Sequence, residues 1–180
     1  HYGVFNNYSL RPSVNLKSNM KIVSGTGTSD DPYRLQGDND KPAQGTLLST
    51  RYSGEYVKFG TGENNLYQIV SHENETGTKI TSASPLKESD LFKNKVFGNN
   101  EYYSTNDTIG TFLNSEYLSS VNNELIEDST VWYLGKVAGD SYKYAKCTDE
   151  NCSTLTDITT AKVGLLRYGE LMAGQFGVYY

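Results

Sequence analysis

The feature that most limits the possible folds is the alternating segment SVNLKSNMKIV, residues 13–23. Its apolar side chains Val14, Leu16, Met20 and Ile22 all occupy even positions, which is the pattern of a β-strand with one buried face. A strand by itself leaves its backbone donors and acceptors unpaired. The segment therefore predicts that the start of the chain pairs with a sheet built from other residues, either in the same chain or in a neighbouring copy.

The next stretch, SGTGTSDDPYRL, interrupts this strand and favours a turn. Two glycines after a strand could bind phosphate, but such loops need a helix to begin directly behind them, whereas an Asp-Asp-Pro sequence follows here. Calcium could bind the local carboxylates, yet the regular loop spacing and the closing bidentate Glu are missing. We therefore interpret Asp30, Asp31, Asp38 and Asp40 as solvated carboxylates, and we predict no metal or cofactor.

The clearest helical pattern lies in DTIGTFLNSEYLSSVNNELIED, residues 107–128. Its apolar positions have the spacing of one helical face. They are Ile109, Phe112, Leu113 and Tyr117, continued by Val121, Leu125 and Ile126. A second amphipathic helix is predicted in RYGELMAGQF, residues 167–176. Its apolar face comprises Tyr168, Leu171, Met172 and Phe176.

Strands are predicted in several stretches with alternating or β-branched residues. These stretches are EYVKFG, NLYQIVSHENETGTKITSA, STVWYLGKV, SYKYAKC and TTAKVGLL, with YRLQ as a further short strand. SPLKESDLFKNKVFGNNEYYSTND is predicted to be irregular. Together with the two helices, these strands predict an α+β fold with a mixed or antiparallel sheet.

Composition limits the classes of partner. The 180 residues include 15 Tyr and carry a formal net charge of -5. Nucleic acids and anionic membranes require a basic protein surface, so neither is expected as a partner. No apolar run is long enough for a membrane span. Tyrosine-rich, Asn- and Thr-rich chains favour sheets with hydrated faces, which indicates an extracellular protein.

The two cysteines, Cys147 and Cys152, flank the polar sequence TDEN. Their spacing differs from that of a Cys-x-x-Cys redox motif, and two thiols are too few for a structural zinc site. We predict a local disulfide, which implies an oxidising compartment.

No pattern predicts catalysis. The histidines are His1 and His72, and neither belongs to a recognisable arrangement of nucleophile and base. No G-x-S-x-G motif is present. The chain is therefore predicted not to be an enzyme and to have no catalytic residues.

Aromatic residues are concentrated near both ends of the chain and are predicted to contact a ligand or partner. They are Tyr2, Phe5, Tyr8, Phe176, Tyr179 and Tyr180. The alternative is that these side chains fill a groove between the sheet and its loops.

Five stretches together resemble a family of uncharacterised, C-type-lectin-like modules in surface and pilin-associated proteins of Gram-positive bacteria. The resemblance rests on YVKFGTGENNLYQIV, TIGTFLNSEYL, WYLGKV with KYAKCTDENCSTLT, KVGLLRYGELMAGQF, and LRPSVNLKSNMKIVSGTGTSDDPYRL. In that family the last of these stretches closes a module, whereas here it comes first. A segment that usually precedes it is absent. The resemblance implies an extracellular location at the cell surface and no established catalysis.

This order divides the chain into three parts. Residues 1–36 are predicted to be a closing-strand segment or assembly arm, residues 37–48 a linker, and residues 49–180 the main module. The order is compatible with a circular rearrangement, with a piece spanning two tandem modules, or with a subunit whose arm completes its neighbour. Under the last interpretation, Val14, Leu16, Met20 and Ile22 form an assembly strand, and copies of the chain join head to tail into a fibre. The alternative function is a lectin-like module that binds glycan or a host protein.

Overall fold

The computed structural model describes residues 7–36, 46–72, 77–98, 105–106, 108–133, 158–166 and 170. The largest element is a sheet of five antiparallel strands. In chain order its strands are β2 (Pro12–Leu16), β6 (Tyr56–Lys58), β7 (Leu66–Ser71), β8 (Thr78–Ser82) and β14 (Val163–Leu165). Across the sheet the order is β14-β2-β8-β7-β6. The first of these strands along the chain, β2, is therefore an interior strand of the sheet.

The remaining described strands form smaller antiparallel sheets. Three strands form one of them in the order β4-β3-β5: β3 (Lys21–Ser24), β4 (Arg34–Leu35) and β5 (Thr46–Leu47). The others are two-stranded: β1 (Asn7–Ser9) with β11 (Asn94–Val96), β9 (Lys87–Glu88) with β10 (Leu91–Phe92), and β12 (Thr130–Tyr133) with β13 (Ile158–Ala161).

Within the described ranges there is one helix of 10 residues. It begins as α1 (Thr108–Phe112) and continues as a π-helical turn over Leu113–Tyr117. Three short 3-10 turns, Leu48–Thr50, Gly62–Asn64 and Asn123–Leu125, complete the described elements. None of these helices has the length and apolar character needed to cross a membrane.

The helix and one face of the five-stranded sheet enclose the hydrophobic core. Ile109, Phe112, Leu113 and Tyr117 are all buried, which confirms the predicted apolar face. From the sheet, the alternating residues Val14, Leu16, Val57, Tyr67, Ile69, Ile80 and Val163 contribute fully buried side chains. Burying a side chain of this size stabilises the fold by about 1.5–3 kcal/mol, so this layer supplies the main driving force for folding.

The predicted α+β class with two helices on one sheet is wrong, because the described structure is mostly β, with several antiparallel sheets and a single helix. The pattern Val121, Leu125, Ile126 does not continue the helix. It follows Ser119 and Ser120, and Asn122 then accepts a hydrogen bond from the Glu124 N–H, which starts a 3-10 turn instead. Serine and asparagine compete for backbone hydrogen bonds in this way and so weaken helices.

The second predicted helix lies almost entirely outside the described residues, where only Glu170 has a position. The segment 84–107, predicted to be irregular, contains the short strands β9, β10 and β11. The strands predicted in EYVKFG, YRLQ and NLYQIVSHENETGTKITSA are confirmed as β6, β4, β7 and β8. From the predicted linker, Thr46 and Leu47 form β5.

Candidate functional site

The candidate assembly strand divides into two strands that belong to different sheets. Val14 and Leu16 lie in β2, and Ile22 lies in β3. Between them, the Met20 N–H donates to the Lys17 carbonyl at 3.2 Å, which closes a turn over Ser18 and Asn19. The prediction of one continuous strand is therefore wrong. Met20 and Ile22 are both buried in the core, because the short turn brings the chain back to it. The apolar side chains therefore keep their even-numbered positions on both sides of the turn.

β2 makes backbone pairs on both sides within its own chain. Val14 lies opposite Ile80 of β8 and opposite Val163 of β14. All five residues of β2 are buried, which is the burial expected of an interior strand. Removing β2 would separate β14 from the rest of the sheet and would open one edge of β8.

The outer edge of β14 is covered by the helix. Asn114 donates from Nδ2 to the Val163 carbonyl at 3.0 Å and accepts from the Val163 N–H at Oδ1, also at 3.0 Å. This amide therefore replaces the backbone of a further strand. An uncovered edge would be a site for pairing with another chain.

The opposite edge, β6, is covered by the turn that follows β3. The Tyr33 N–H donates to the Tyr56 carbonyl at 2.9 Å, and the Lys58 N–H donates to the Tyr33 carbonyl at 2.9 Å. The Tyr56 N–H donates to the Gly27 carbonyl at 2.8 Å. Thus the backbone of each outer strand of the five-stranded sheet has hydrogen-bond partners outside the sheet: a side-chain amide at β14 and backbone groups at β6.

The turn sequence SGTGTSDDPYRL covers the edge of β6 and does not form a phosphate-binding loop. The N–H groups of Thr26 and Gly27 both donate to the Asp31 carbonyl at 3.0 Å, so they are used within the turn. Gly27 has a φ of 81°, and a Cβ there would overlap the Tyr33 ring. Strand β4 follows instead of a helix.

The face of the sheet opposite the core is polar and also buried. Ser13, Asn15, Gln68, Lys79 and Thr81 are each no more than 9% exposed. Ser13 donates from Oγ to Thr81 Oγ1 at 3.0 Å. Polar groups are seldom buried in such number unless they form hydrogen bonds with one another or take part in the function of the protein. We define these five residues as the polar face.

Lys79 has the most unusual surroundings on the polar face. Its Nζ lies 2.6 Å from Oε1 of Glu170, and the two side chains are only 3% and 4% exposed. The same Nζ lies 5.2 Å from the centre of the Trp132 ring. Trp132 also packs on Gly164 of β14, where any Cβ would overlap the indole. The ion pair of Lys79 and Glu170 is thus buried next to the Trp132 ring, where ionic interactions are strong and desolvation is costly.

A cleft of about 200 Å³ lies between the helix, the Gly62–Asn64 turn and β9. Its lining combines hydroxyl, amide, charged and aromatic groups: Thr61, Asn64, Leu86, Lys87, Glu88, Lys93, Phe112, Glu116, Tyr117, Ser120 and Val121. Asn64 shapes the floor by donating to the Lys87 carbonyl at 2.8 Å and accepting from the Lys87 N–H at 2.7 Å. The cleft is large enough to admit part of a small polar ligand.

Lys93 concentrates charge in this cleft. Its Nζ lies 2.6 Å from Glu116 Oε1, 3.7 Å from Glu88 Oε2 and 4.9 Å from the centre of the Phe112 ring. The hydrogen bond to Glu116 raises the pKa of Lys93 and lowers the pKa of Glu116. Both side chains therefore stay charged at neutral pH.

The aromatic residues predicted to contact a ligand are mostly outside the described residues: Tyr2, Phe5, Phe176, Tyr179 and Tyr180. Tyr8 lies in β1, opposite Lys95 of β11. Cys147 and Cys152 also fall outside the described ranges. The predicted contact surface and disulfide therefore stay predictions.

The polar face and the cleft were not predicted from the sequence. The signal for the polar face was present in TKITS, where polar residues occupy both alternating sets of a strand instead of one. The partner residues Trp132 and Glu170 are far away along the chain, so no local pattern connects them to Lys79. No group of three or more potential metal ligands occurs among the residues with described positions.

Comparisons with protein-family models, with curated proteins and with solved structures found no match for this chain.

Proposed function

We propose that this chain is a non-enzymatic structural or adhesive subunit of an extracellular cell surface, and that copies join into a fibre by exchanging residues 1–36. The observation that carries the proposal is the interior position of β2, which belongs to this terminal segment and completes the sheet between β8 and β14. A neighbouring copy could supply the same strand with the same pairing.

The covered edges of the sheet favour exchange over simple edge-to-edge addition. Asn114 occupies the backbone groups of Val163, and Tyr33 occupies those of Tyr56 and Lys58. Since both outer strands of the five-stranded sheet already have partners, we infer that assembly through this sheet proceeds by exchange of β2. When each copy donates its segment to the next, the contact is heterologous and forms an open chain.

A disulfide trap tests which chain supplies β2. Ser13 and Thr81 are cross-strand partners, so replacing both with Cys places two thiols at a distance suitable for a disulfide. The variant would be made with Cys147→Ser and Cys152→Ser, concentrated, oxidised and run on a denaturing gel without reductant. We expect a ladder of linked chains that collapses to monomer on reduction.

The matched control uses Tyr56→Cys with Gln68→Cys, which are partners on β6 and β7 within the main module. This pair should link only within one chain. If the Ser13→Cys and Thr81→Cys pair also gives only internally linked monomer at the highest concentration, residues 1–36 close their own sheet and the exchange proposal fails. Light scattering on the full chain over a series of concentrations checks the same point without engineered thiols, because a fibre gains mass as the concentration rises and a chain that closes its own sheet does not.

A second candidate function is binding of glycan or of a host protein, and the cleft beside the helix favours it. Glu116, Lys93 and Ser120 offer acceptors and donors suited to hydroxyl groups, and Phe112 adds an aromatic surface. A glycan array probed with the full chain and with Glu116→Ala tests this function. Signal that disappears in Glu116→Ala but persists in Glu124→Ala, an exposed carboxylate outside the cleft, would support it. Equal signal from both variants would contradict it.

A further inference from the structure

We propose that the hairpin of β9 and β10 is a contact between copies of this chain, in which β10 of one copy pairs antiparallel with β10 of another about a two-fold axis. The inference starts from the turn of the hairpin. Ser89 and Asp90 connect the two strands, and both have a positive φ, 53° and 65°. Two loop residues with this backbone form a type I′ turn, which matches the twist of paired strands. The hairpin is therefore a regular ladder that is formed before any partner binds.

One edge of this hairpin is closed by its own chain. Lys87 of β9 donates its N–H to Asn64 Oδ1 at 2.7 Å, and its carbonyl accepts from Asn64 Nδ2 at 2.8 Å. Both backbone groups of Lys87 thus point away from β10. In an antiparallel pair, two residues that face each other direct these groups either toward one another or both outward. Phe92 faces Lys87, so the N–H and C=O of Phe92 point outward on the other edge.

This second edge, formed by Leu91 and Phe92, is open. Among the residues with described positions, no hydrogen bond joins the Phe92 N–H or C=O to another group. The side chains of Leu91 and Phe92 are 74% and 54% exposed. A strand edge with unpaired backbone groups is a template for pairing with another chain, and exposed apolar side chains beside it mark a contact site.

A second copy fits this edge because the edge is complementary to itself. When two copies of β10 pair at Phe92, the Phe92 N–H of each copy donates to the Phe92 carbonyl of the other. The two Phe92 rings then lie directly opposite each other, which is a favourable position for an aromatic pair. Lys87 Nζ lies 5.9 Å from the centre of the Phe92 ring in its own chain. The two lysines are therefore kept apart by the two rings.

The opposite face of the hairpin carries charges of both signs. Glu88 faces Leu91 across the hairpin, and Lys93 comes two residues after Leu91. The same two-fold register places Leu91 of each copy against Lys93 of the other. The methylenes of Lys93 can cover Leu91, since its ammonium is already held by Glu116 at 2.6 Å. No like charges are directly opposite in this register, so the charge pattern favours a second copy over a partner with a single sign of charge.

The pairing joins the two hairpins into one four-stranded antiparallel sheet and forms a closed dimer. The contact involves few residues and belongs to the small, transient class of interfaces. We therefore expect a dissociation constant in the high-micromolar range.

Charge exchange at Phe92 is the first test. Phe92→Lys and Phe92→Glu each place two like charges directly opposite in the two-fold pairing, so each variant should associate at least about tenfold more weakly than the wild type. An equimolar mixture of the two variants places a lysine opposite a glutamate and should recover the association. Sedimentation of the full chain over a series of concentrations measures these values. Tyr52→Lys, at a side chain that is 72% exposed and outside the hairpin, is the control and should associate as the wild type does.

The results that would overturn the proposal are specific. A wild-type chain that stays monomeric at millimolar concentration would do so, as would Phe92→Lys that associates as strongly as the wild type. Recovery that fails in the mixture would exclude the two-fold register. Circular dichroism establishes that each variant folds, and a variant that does not fold is replaced by the thiol variant below.

A single thiol tests the same pairing covalently. Residues that face each other with hydrogen bonds on an antiparallel pair have Cα atoms about 5.5 Å apart, which suits a disulfide. Phe92→Cys, made with Cys147→Ser and Cys152→Ser and oxidised, should give a dimer that reduction reverses. Tyr52→Cys in the same background should stay monomeric. Equal yields of dimer from the two variants would contradict the contact.

The hairpin contact does not rest on strand exchange, and the two can fail separately. The trap with Ser13→Cys and Thr81→Cys reports exchange alone, since both positions lie outside the hairpin. A ladder from that trap with monomer from Phe92→Cys would support exchange and overturn the hairpin contact. A dimer from Phe92→Cys with internally linked monomer from the trap would support the hairpin contact and overturn exchange.

Discussion

The hydroxyl groups of Tyr67 and Tyr117 lie 2.5 Å apart and join the sheet to the helix inside the core. Tyr67 comes from β7 and is fully buried, while Tyr117 ends the helix and is 4% exposed. The Phe59 ring packs edge-on against Tyr67, with centroids 5.2 Å apart. This pair fixes where the helix sits on the sheet and therefore shapes the cleft, which Tyr117 lines.

Removing one hydroxyl of this pair should destabilise the fold. Tyr117→Phe leaves the Tyr67 hydroxyl buried without its partner, at a cost of about 1–3 kcal/mol in the free energy of unfolding. The double variant Tyr67→Phe with Tyr117→Phe removes both polar groups and should recover most of the loss. Urea denaturation measures these values. Tyr52→Phe, at a side chain that is 72% exposed, is the control and should have no effect.

The same pair predicts a loss of stability at alkaline pH. Burial raises the pKa of Tyr67 above its ordinary value of 10.0, and burial together with the neighbouring Tyr67 raises that of Tyr117 well above it. The folded chain thus holds these protons more tightly than the unfolded chain. Below the ordinary pKa the contribution of this pair to the free energy of unfolding should not vary with pH, and it should fall as the pH rises toward the raised values. Unfolding curves across alkaline pH test this. A wild-type decline no steeper than that of the Phe double variant would contradict it.

Shortening a buried side chain of β2 should destabilise the fold strongly. Leu16 is fully buried, so Leu16→Ala should lower the free energy of unfolding by about 2–5 kcal/mol through lost burial and the cavity that remains. Leu91→Ala removes the same atoms from a side chain that is 74% exposed, and a change within about 0.5 kcal/mol is expected there. Similar losses for the two variants would mean that β2 is not packed in the core.

The contact of Trp132 with β14 can be tested by fluorescence. A Cβ at position 164 would overlap the indole, so Gly164→Ala should displace Trp132 and shift its emission toward that of an exposed indole. Because the chain has 1 Trp, the signal reports this site alone. At Gly62, no atom lies within 4 Å of an added Cβ and only the positive φ is unfavourable, so Gly62→Ala should leave the emission unchanged. An unaltered spectrum in Gly164→Ala would contradict the packing.

The amide of Asn114 should protect the edge of β14. Asn114→Ala removes both of its hydrogen bonds to Val163 and should cost about 1–3 kcal/mol. It should also increase self-association, since an exposed strand edge pairs with other chains. Sedimentation at several concentrations measures the association, with Asn123→Ala, an exposed residue, as the control. Unchanged association in Asn114→Ala would show that this edge is covered by other means.

Local patterns in the sequence determined much of this protein. Alternation located β6, β7 and β8, and the spacing of Ile109, Phe112, Leu113 and Tyr117 identified the buried face of the helix. Both patterns depend on side-chain periods within a few residues, which is why they are readable from the chain alone. Periodicity did not indicate where the helix would stop, because Val121 and Leu125 also contact the core from a turn.

Only the tertiary structure decided how these pieces meet. Partners such as Lys79 and Glu170 are 91 residues apart, and nothing local records their contact. The same is true of β2, whose alternation predicted a strand but not its interior place between β14 and β8. Strand order and the pairing of distant polar groups depend on which surfaces can be buried together over the whole chain. The sequence by itself therefore determined the periodic elements, and the packing of those elements decided the polar face and the cleft.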